Sequence, residues 1–264
     1  HEAYLGDTLA AIAREKAGVL RRARVTVLGP MGAEPRRAIA ADAAEIGARL
    51  SDAASDTEVR PRADRPSQVD LVTPVGTYRR LRPLPGVHQR ANLAVAVRLL
   101  EEARAAGLAV DLGAVARGVA RTRWPGRLQR IAGRPPLLLD GAHNPAGARA
   151  LAEELRDQPP FVLVFGAMAD KDVGEMGRIL FPLARQVVIT QVSEARAASP
   201  DEVARRVGRA AAGARREPRV LSALAQARRL AGPRGLVVVA GSLYLVGDVL
   251  RSAAARRRGS KPRK

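Results

Sequence analysis

The sequence contains no cysteine, which excludes a disulfide framework and any thiolate metal site. Aromatic residues make up only 3%, while aliphatic residues are plentiful, a balance that suits an Ala/Val/Leu-rich α/β protein. No apolar run approaches the roughly 20 residues needed to span a bilayer. The start, His1-Glu2-Ala3-Tyr4, is neither basic nor followed by an apolar stretch, so it does not read as a secretory signal. No membrane partner is expected, and a cytoplasmic location is. Lysine is also scarce, at Lys16, Lys171, Lys261 and Lys264, so the formal charge of +19 is almost wholly arginine. Those arginines are scattered among Ala and Glu and are not gathered with aromatics into a base-stacking platform. No specific nucleic-acid function is therefore expected. A basic surface would equally steer small anionic ligands. The tail from Arg256 to Lys264 is a basic cluster expected to be disordered.

With 264 residues the chain can bury a proper core in one large or two modest domains. Helical spacing covers 8–22, where Leu9, Ile12, Ala13 and Ala17 recur on one face. A short strand at 25–28 and a second helix at 34–50 follow. Residues 69–73 and 77–81 flank Pro74-Val75-Gly76 and predict a hairpin. Helices are expected at about 89–106 and 111–120. Helical periodicity stops at 121–125, which marks a domain boundary. Beyond it, strands near 136–140, 161–165, 186–190, 218–221 and 235–240 alternate with helices. Continuous apolar strands such as Leu236-Val237-Val238-Val239-Ala240 predict a mainly parallel sheet covered on both faces. That is a Rossmann-like domain of roughly 140 residues, an ordinary size.

The most informative stretch is Asp140-Gly141-Ala142-His143-Asn144-Pro145. An apolar run ends in a carboxylate and a tight turn, Asn144 is a favoured N-cap, and Pro145 suits the first helical position. Asp140 and His143 thus fall at the carboxyl end of a strand, where open α/β sheets bind ligands. Trp124-Pro125-Gly126-Arg127-Leu128-Gln129 lies upstream. Phe165-Gly166-Ala167-Met168-Ala169-Asp170-Lys171-Asp172 and Ala240-Gly241-Ser242-Leu243-Tyr244 lie downstream. Near the start, His1 is followed by Leu5-Gly6 and by Glu15-Lys16-Ala17-Gly18.

This ordered set resembles the Mur ligase superfamily and, within it, folylpolyglutamate synthase/dihydrofolate synthase, over nearly the whole chain. The resemblance implies a partial central, ATP- and metal-binding domain at 1–122 and a Rossmann-like carboxyl-terminal domain at 123–264. The implied enzyme is an acid–amino-acid ligase of the EC 6.3.2 class. It uses ATP to add L-glutamate to dihydropteroate or a folate through an acyl phosphate. By matching position, His1 is implied as a magnesium ligand and Lys16 as a carbamylated lysine that organises the metal site. Carbamylation needs the neutral amine, and therefore a desolvating or cationic pocket. Asn92, Arg127 and Asp140 match ATP contacts, Arg127 at the phosphates, where a guanidinium fork suits the task. His143 lies beside the same phosphates as a catalytic candidate. Lys171 and Ser242, each after a strand end, are candidate contacts for the incoming glutamate.

The chain contains no G-x-x-x-x-G-K-[ST] sequence. In the resembled family that loop, with a metal-binding carboxylate, belongs ahead of the His1 segment. The chain is therefore expected to be the latter two-thirds of such an enzyme, inactive alone and monomeric when complete. The alternatives are a non-catalytic nucleotide-binding remnant and a related Mur-type amino-acid ligase.

Overall fold

The structure, a computed structural model, describes residues 8–259, with side chains through Ser252. It divides into two compact units, one ending at Arg123 and the other starting at Trp124.

In the first unit, α1 (Leu9–Ala17) is capped by Thr8, whose hydroxyl accepts from the Ala11 N–H at 3.1 Å. It ends earlier than the helical spacing to residue 22 predicts, because the Gly18 N–H turns back onto the Glu15 carbonyl. β1 (Val25–Leu28) leads to α2 (Ala33–Ile46). This helix was expected to reach residue 50. Gly47 stops it with φ of 73°, a left-handed cap that glycine adopts without a Cβ clash. The chain released by that cap becomes β2 (Arg49–Asp52), which pairs in parallel with β1. A core of Ala13, Ala17, Leu20, Leu28, Ile39 and Ala43 joins α1, α2 and β1.

A short turn, α3 (Ala53–Asp56), precedes β3 (Glu58–Pro61), β4 (Val69–Val72) and β5 (Thr77–Leu81), a three-stranded antiparallel sheet. The predicted hairpin is β4–β5. Val69, Leu71 and Leu81 pack against Leu93, Ala94 and Val97 of α4 (Val87–Ala105) and against Val115 of α5 (Val115–Arg121). Beside this core lies a buried polar network. Arg98 donates to Glu101 at 2.5 Å, to Glu102 at 2.7 Å and to the Ser51 hydroxyl at 2.9 Å. The other Glu101 oxygen accepts from Thr73 at 2.6 Å and from Tyr78 at 2.8 Å.

The second unit is built on a six-stranded sheet in the order β10-β9-β8-β11-β7-β6. Its strands are β6 (Gln129–Ile131), β7 (Leu137–Leu139), β8 (Phe161–Phe165), β9 (Gln186–Gln191), β10 (Arg215–Arg219) and β11 (Leu236–Ala240). All pairings are parallel except that of β6 with β7. Alternation along each strand sorts the core into two layers. Phe161, Leu163, Phe165 and Val238 face α6 (Pro145–Leu155), α7 (Val173–Leu180) and α8 (Pro200–Val207). Val162, Val164, Val237 and Val239 face α9 (Val220–Ala231) and α10 (Leu243–Gly259).

Two expectations change here. β10 lies at 215–219, not 218–221, and Val220 already opens the next helix. The chain from Arg256 to Gly259, expected to be disordered, continues α10, as Ala and Arg are strong helix formers. Residues 260–264 lie outside the described residues.

Candidate functional site

The loops at the carboxyl ends of β7, β8 and β11 carry four of the eight candidates, Asp140, His143, Lys171 and Ser242. β11 sits between the other two strands. The loops after β7 and β8 lead to helices on one face of the sheet and the loop after β11 to a helix on the other. Such a parting of loops is where this class of sheet opens a ligand crevice.

Asp140, 5% exposed, closes β7. Its Oδ1 accepts from the Ala142 N–H at 2.9 Å and its Oδ2 from the Leu128 N–H at 3.0 Å. A third bond, from the Gly141 N–H to the Gly126 carbonyl at 2.7 Å, joins the same two turns. Gly126 has φ of 73°, and a Cβ there would sit 2.8 Å from Val246 Cγ1, so only glycine fits. Leu128 also has positive φ, 44°. Asp140 thus braces a contorted Gly126–Arg127–Leu128 turn through backbone amides. Arg127, half-buried at the apex, has no carboxylate partner among the described residues.

His143 is half-buried, and its Nδ1 lies 2.9 Å from the Gly141 carbonyl. A carbonyl only accepts, so Nδ1 is the donor and Nε2 of the neutral ring presents a lone pair. Asn144 caps α6 by accepting from the Gly147 N–H at 2.7 Å, with Pro145 at the first helical position. The sequence signature and the local geometry agree here.

After β11, Gly241 has φ of 115°, and a Cβ would lie 2.6 Å from the Gly166 carbonyl oxygen. The β8 and β11 loops are in backbone contact there. Ser242 is 2% exposed, and its hydroxyl accepts from the Tyr244 N–H at 3.1 Å, which makes it the cap of α10.

After β8, Lys171 Nζ pairs with Asp170 Oδ2 at 3.0 Å. The lysine's hydrogen bond holds the Asp170 carboxyl below the usual carboxylate range. Asp172 caps α7 through the Glu175 N–H at 3.0 Å. The sequence reading missed Arg206, on α8. Its guanidinium donates to the Ala169 carbonyl at 2.7 Å and the Lys171 carbonyl at 2.5 Å, fixing the backbone on both sides of Asp170. Nothing local in the sequence marks it, since its partners lie 35 and 37 residues earlier. Arg206→Met is expected to speed amide exchange at 169–173 and to cost about 2 kcal/mol. Hydrogen exchange read by mass spectrometry checks this, and unchanged protection would show that the clamp is idle.

The remaining candidates belong to the first unit. Lys16 is exposed in the last turn of α1. Asn92, exposed early in α4, donates to Gln89 Oε1 at 3.0 Å. His1 lies outside the described residues. Among the described residues no group of three acidic or imidazole side chains stands together as a metal site. No described helix is long and apolar enough to cross a membrane.

Residues 126–243 match the family model described as the Mur ligase glutamate ligase domain. The chain is similar to a probable bifunctional folylpolyglutamate synthase/dihydropteroate synthase of Haloferax volcanii. The two are 35% identical over 259 residues, covering 94% of this chain and 30% of that protein. A solved structure of Escherichia coli FolC in complex with DHPP and ADP aligns with a TM-score of 0.83 and 27% identity. That alignment covers 97% of this chain and 59% of the other. A bifunctional folylpolyglutamate synthase/dihydrofolate synthase with Mn, AMPPNP and L-glutamate bound aligns with a TM-score of 0.79 and 27% identity, over 95% and 58% of the two chains. The chain therefore spans less than two thirds of each of these proteins.

Proposed function

We propose that this chain belongs to the folylpolyglutamate synthase/dihydrofolate synthase family of Mur ligases, which its similarities support, and that it serves an ATP-dependent acid–amino-acid ligase adding L-glutamate to dihydropteroate or a folate. The observation that carries the reading is the row of loops at the carboxyl ends of the central strands of the six-stranded sheet. There an arginine without a carboxylate partner, a histidine with a free Nε2 and a lysine occupy adjoining strand ends.

In this reading a carboxylate oxygen of the pterin substrate attacks the γ-phosphorus of ATP. The bond to the β–γ bridging oxygen breaks and ADP leaves. The amine of glutamate then attacks the acyl carbon of the acyl phosphate, and inorganic phosphate departs. Arg127 meets the phosphate oxygens with its planar fork. Asp140 holds the Arg127 turn and stands on the nucleotide side of it as a proposed ATP contact. His143 Nε2 accepts the proton lost by the attacking amine. Lys171 faces the glutamate carboxylates, and the buried Ser242 supports the same loop as a cap. Asn92 serves the adenine end. Magnesium neutralises phosphate charge when bound, with His1 and a carbamylated Lys16 as its proposed attendants. The described residues supply no complete donor set, so no step is derived through it.

A second reading, a nucleotide-binding module without ligase activity of its own, is favoured by one fact: these 264 residues contain no phosphate-loop sequence. Phosphate release separates the two. It is measured with ATP, magnesium, L-glutamate and either dihydropteroate or folate, on the chain alone and on a form carrying a phosphate loop ahead of it. The chain alone is expected to give none and the longer form to turn over. In the longer form Arg127→Ala is expected to lower kcat/KM by about 10- to 100-fold, the loss of one charge-assisted contact. Turnover by the chain alone would overturn the role given to the loop. No turnover in either form would favour the module.

A further inference from the structure

One concavity of the first unit carries chemistry that the ligase reading does not use. It measures about 280 Å³ and is lined by Asp64, Arg65 and Gln68 of the β3–β4 connection, Arg80 of β5 and Arg82 just after it. The acids of this sheet are already engaged. Glu58 accepts from Arg60 at 2.6 Å. Asp64 takes two bonds from Arg62, at 3.0 and 3.1 Å. Asp70 accepts from Arg62 at 3.2 Å and from the Arg80 N–H at 2.8 Å. The Arg62 hydrogen bond lowers the Asp64 carboxyl and the Arg80 amide lowers that of Asp70, so both stay ionised and committed to these partners. Arg65, Arg80 and Arg82 have no carboxylate at ion-pair distance among the described residues.

The backbone is shaped to put these arginines together. Val69 pairs with Leu81 and Leu71 with Tyr78, so Asp70 faces two residues, Arg79 and Arg80. That bulge keeps Tyr78 and Leu81 both toward the core although they are three residues apart. It turns Arg80 outward on the same side as Arg82. Arg80 adopts φ of 55° to do so, a conformation that an L residue resists and that Asp70 braces. Gln68, 4% exposed, anchors the third side. With its amide oxygen facing Arg82 it accepts from Nε at 3.2 Å and Nη2 at 3.3 Å.

We propose that this concavity binds a small ligand bearing two or more clustered oxyanions, phosphate or carboxylate. Three guanidinium forks around one hollow match oxyanion geometry, which single ammonium groups would not. The volume is at the lower end for a ligand pocket and suits a head group or short tail. No aromatic lines the hollow, so base stacking does not contribute.

The test is calorimetric titration of the whole chain with inorganic tripolyphosphate at about 0.15 M salt, where weak surface attraction is screened beyond about 8 Å. Saturable one-to-one binding is expected. R80Q/R82Q should weaken it by at least about tenfold, as two charge-assisted contacts are lost. R37Q/R229Q, which removes the same charge elsewhere, should leave it within about twofold. A parallel titration with tri-γ-glutamate identifies the source. Tighter binding of that peptide assigns a polycarboxylate, tighter binding of tripolyphosphate a phosphate ligand, and either supports the site. Equal weakening by both double variants, or no saturable binding of either probe, would overturn it. The proposal does not rest on the ligase reading, and R80Q/R82Q separates this hollow from the phosphate and carboxylate contacts given to Arg127 and Lys171, which that variant leaves in place.

Discussion

Arg98→Met is expected to destabilise the unit ending at Arg123 by about 3–5 kcal/mol. The Arg98 and Glu101 side chains are 7% and 1% exposed. Removing the guanidinium leaves the Glu101 carboxylate buried with only the Thr73 and Tyr78 hydroxyls, and an uncompensated buried charge is costly. Burial and the adjoining Glu101 keep the Tyr78 hydroxyl protonated, its pKa pushed far above the usual phenol value. Tyr78 therefore remains a donor at any working pH. The double variant Arg98→Met with Glu101→Leu should recover most of the loss, because replacing a whole buried pair by apolar groups is often close to neutral. Urea unfolding followed by amide exchange along α4 checks both. A loss below about 1 kcal/mol for Arg98→Met would mean that water reaches Glu101.

Asp140→Ala is expected to cost the second unit about 4 kcal/mol, since two backbone amides lose a charged acceptor worth about 1.5–3 kcal/mol each. The Leu128 and Ala142 N–H groups would be left buried with no replacement in the cavity. Asp140→Asn should cost less but not be neutral: one amide oxygen still accepts, while the NH2 faces a donor. The effect should be visible at Trp124, the single tryptophan, two residues before Gly126. Its emission should shift before global unfolding as the turn loosens. In a form that turns over, both variants should also lose activity, because the Arg127 turn is released. Wild-type stability with lost activity would instead place Asp140 wholly on the ligand.

The strands of the second unit were readable because β7, β8 and β11 are covered on both faces and so are written in continuous apolar residues. β10 was misplaced by three residues because it lies at the edge, and Arg215-Arg216-Glu217-Pro218-Arg219 carries no apolar signal. β2 was hidden for a related reason: Arg49-Leu50-Ser51-Asp52 extends a helical pattern until Gly47 is seen to break it. At the site, Asn144 and Pro145 announced their turn, since a cap is a local contract between a side chain and an amide three residues on. The Asp140–Leu128 bond spans 12 residues and the Arg206 clamp about three times that. Such pairings follow from the packing of whole elements and leave no trace in spacing.

The strand order also governs how this unit comes into being. The last strand, β11, is the one that lies between β7 and β8. While the polypeptide is being made, β7 and β8 must wait as two separate half-sheets, each with a raw hydrogen-bonding edge. From Phe165 to Leu236, synthesis at about 5–20 residues per second takes roughly 4–14 s. During that interval the nascent chain displays unpaired apolar strands open to mispairing with a neighbour. A stop codon after Arg219 and before residue 236 would not trim the sheet at its margin. It would remove the middle plank, leaving halves that have no other way to join.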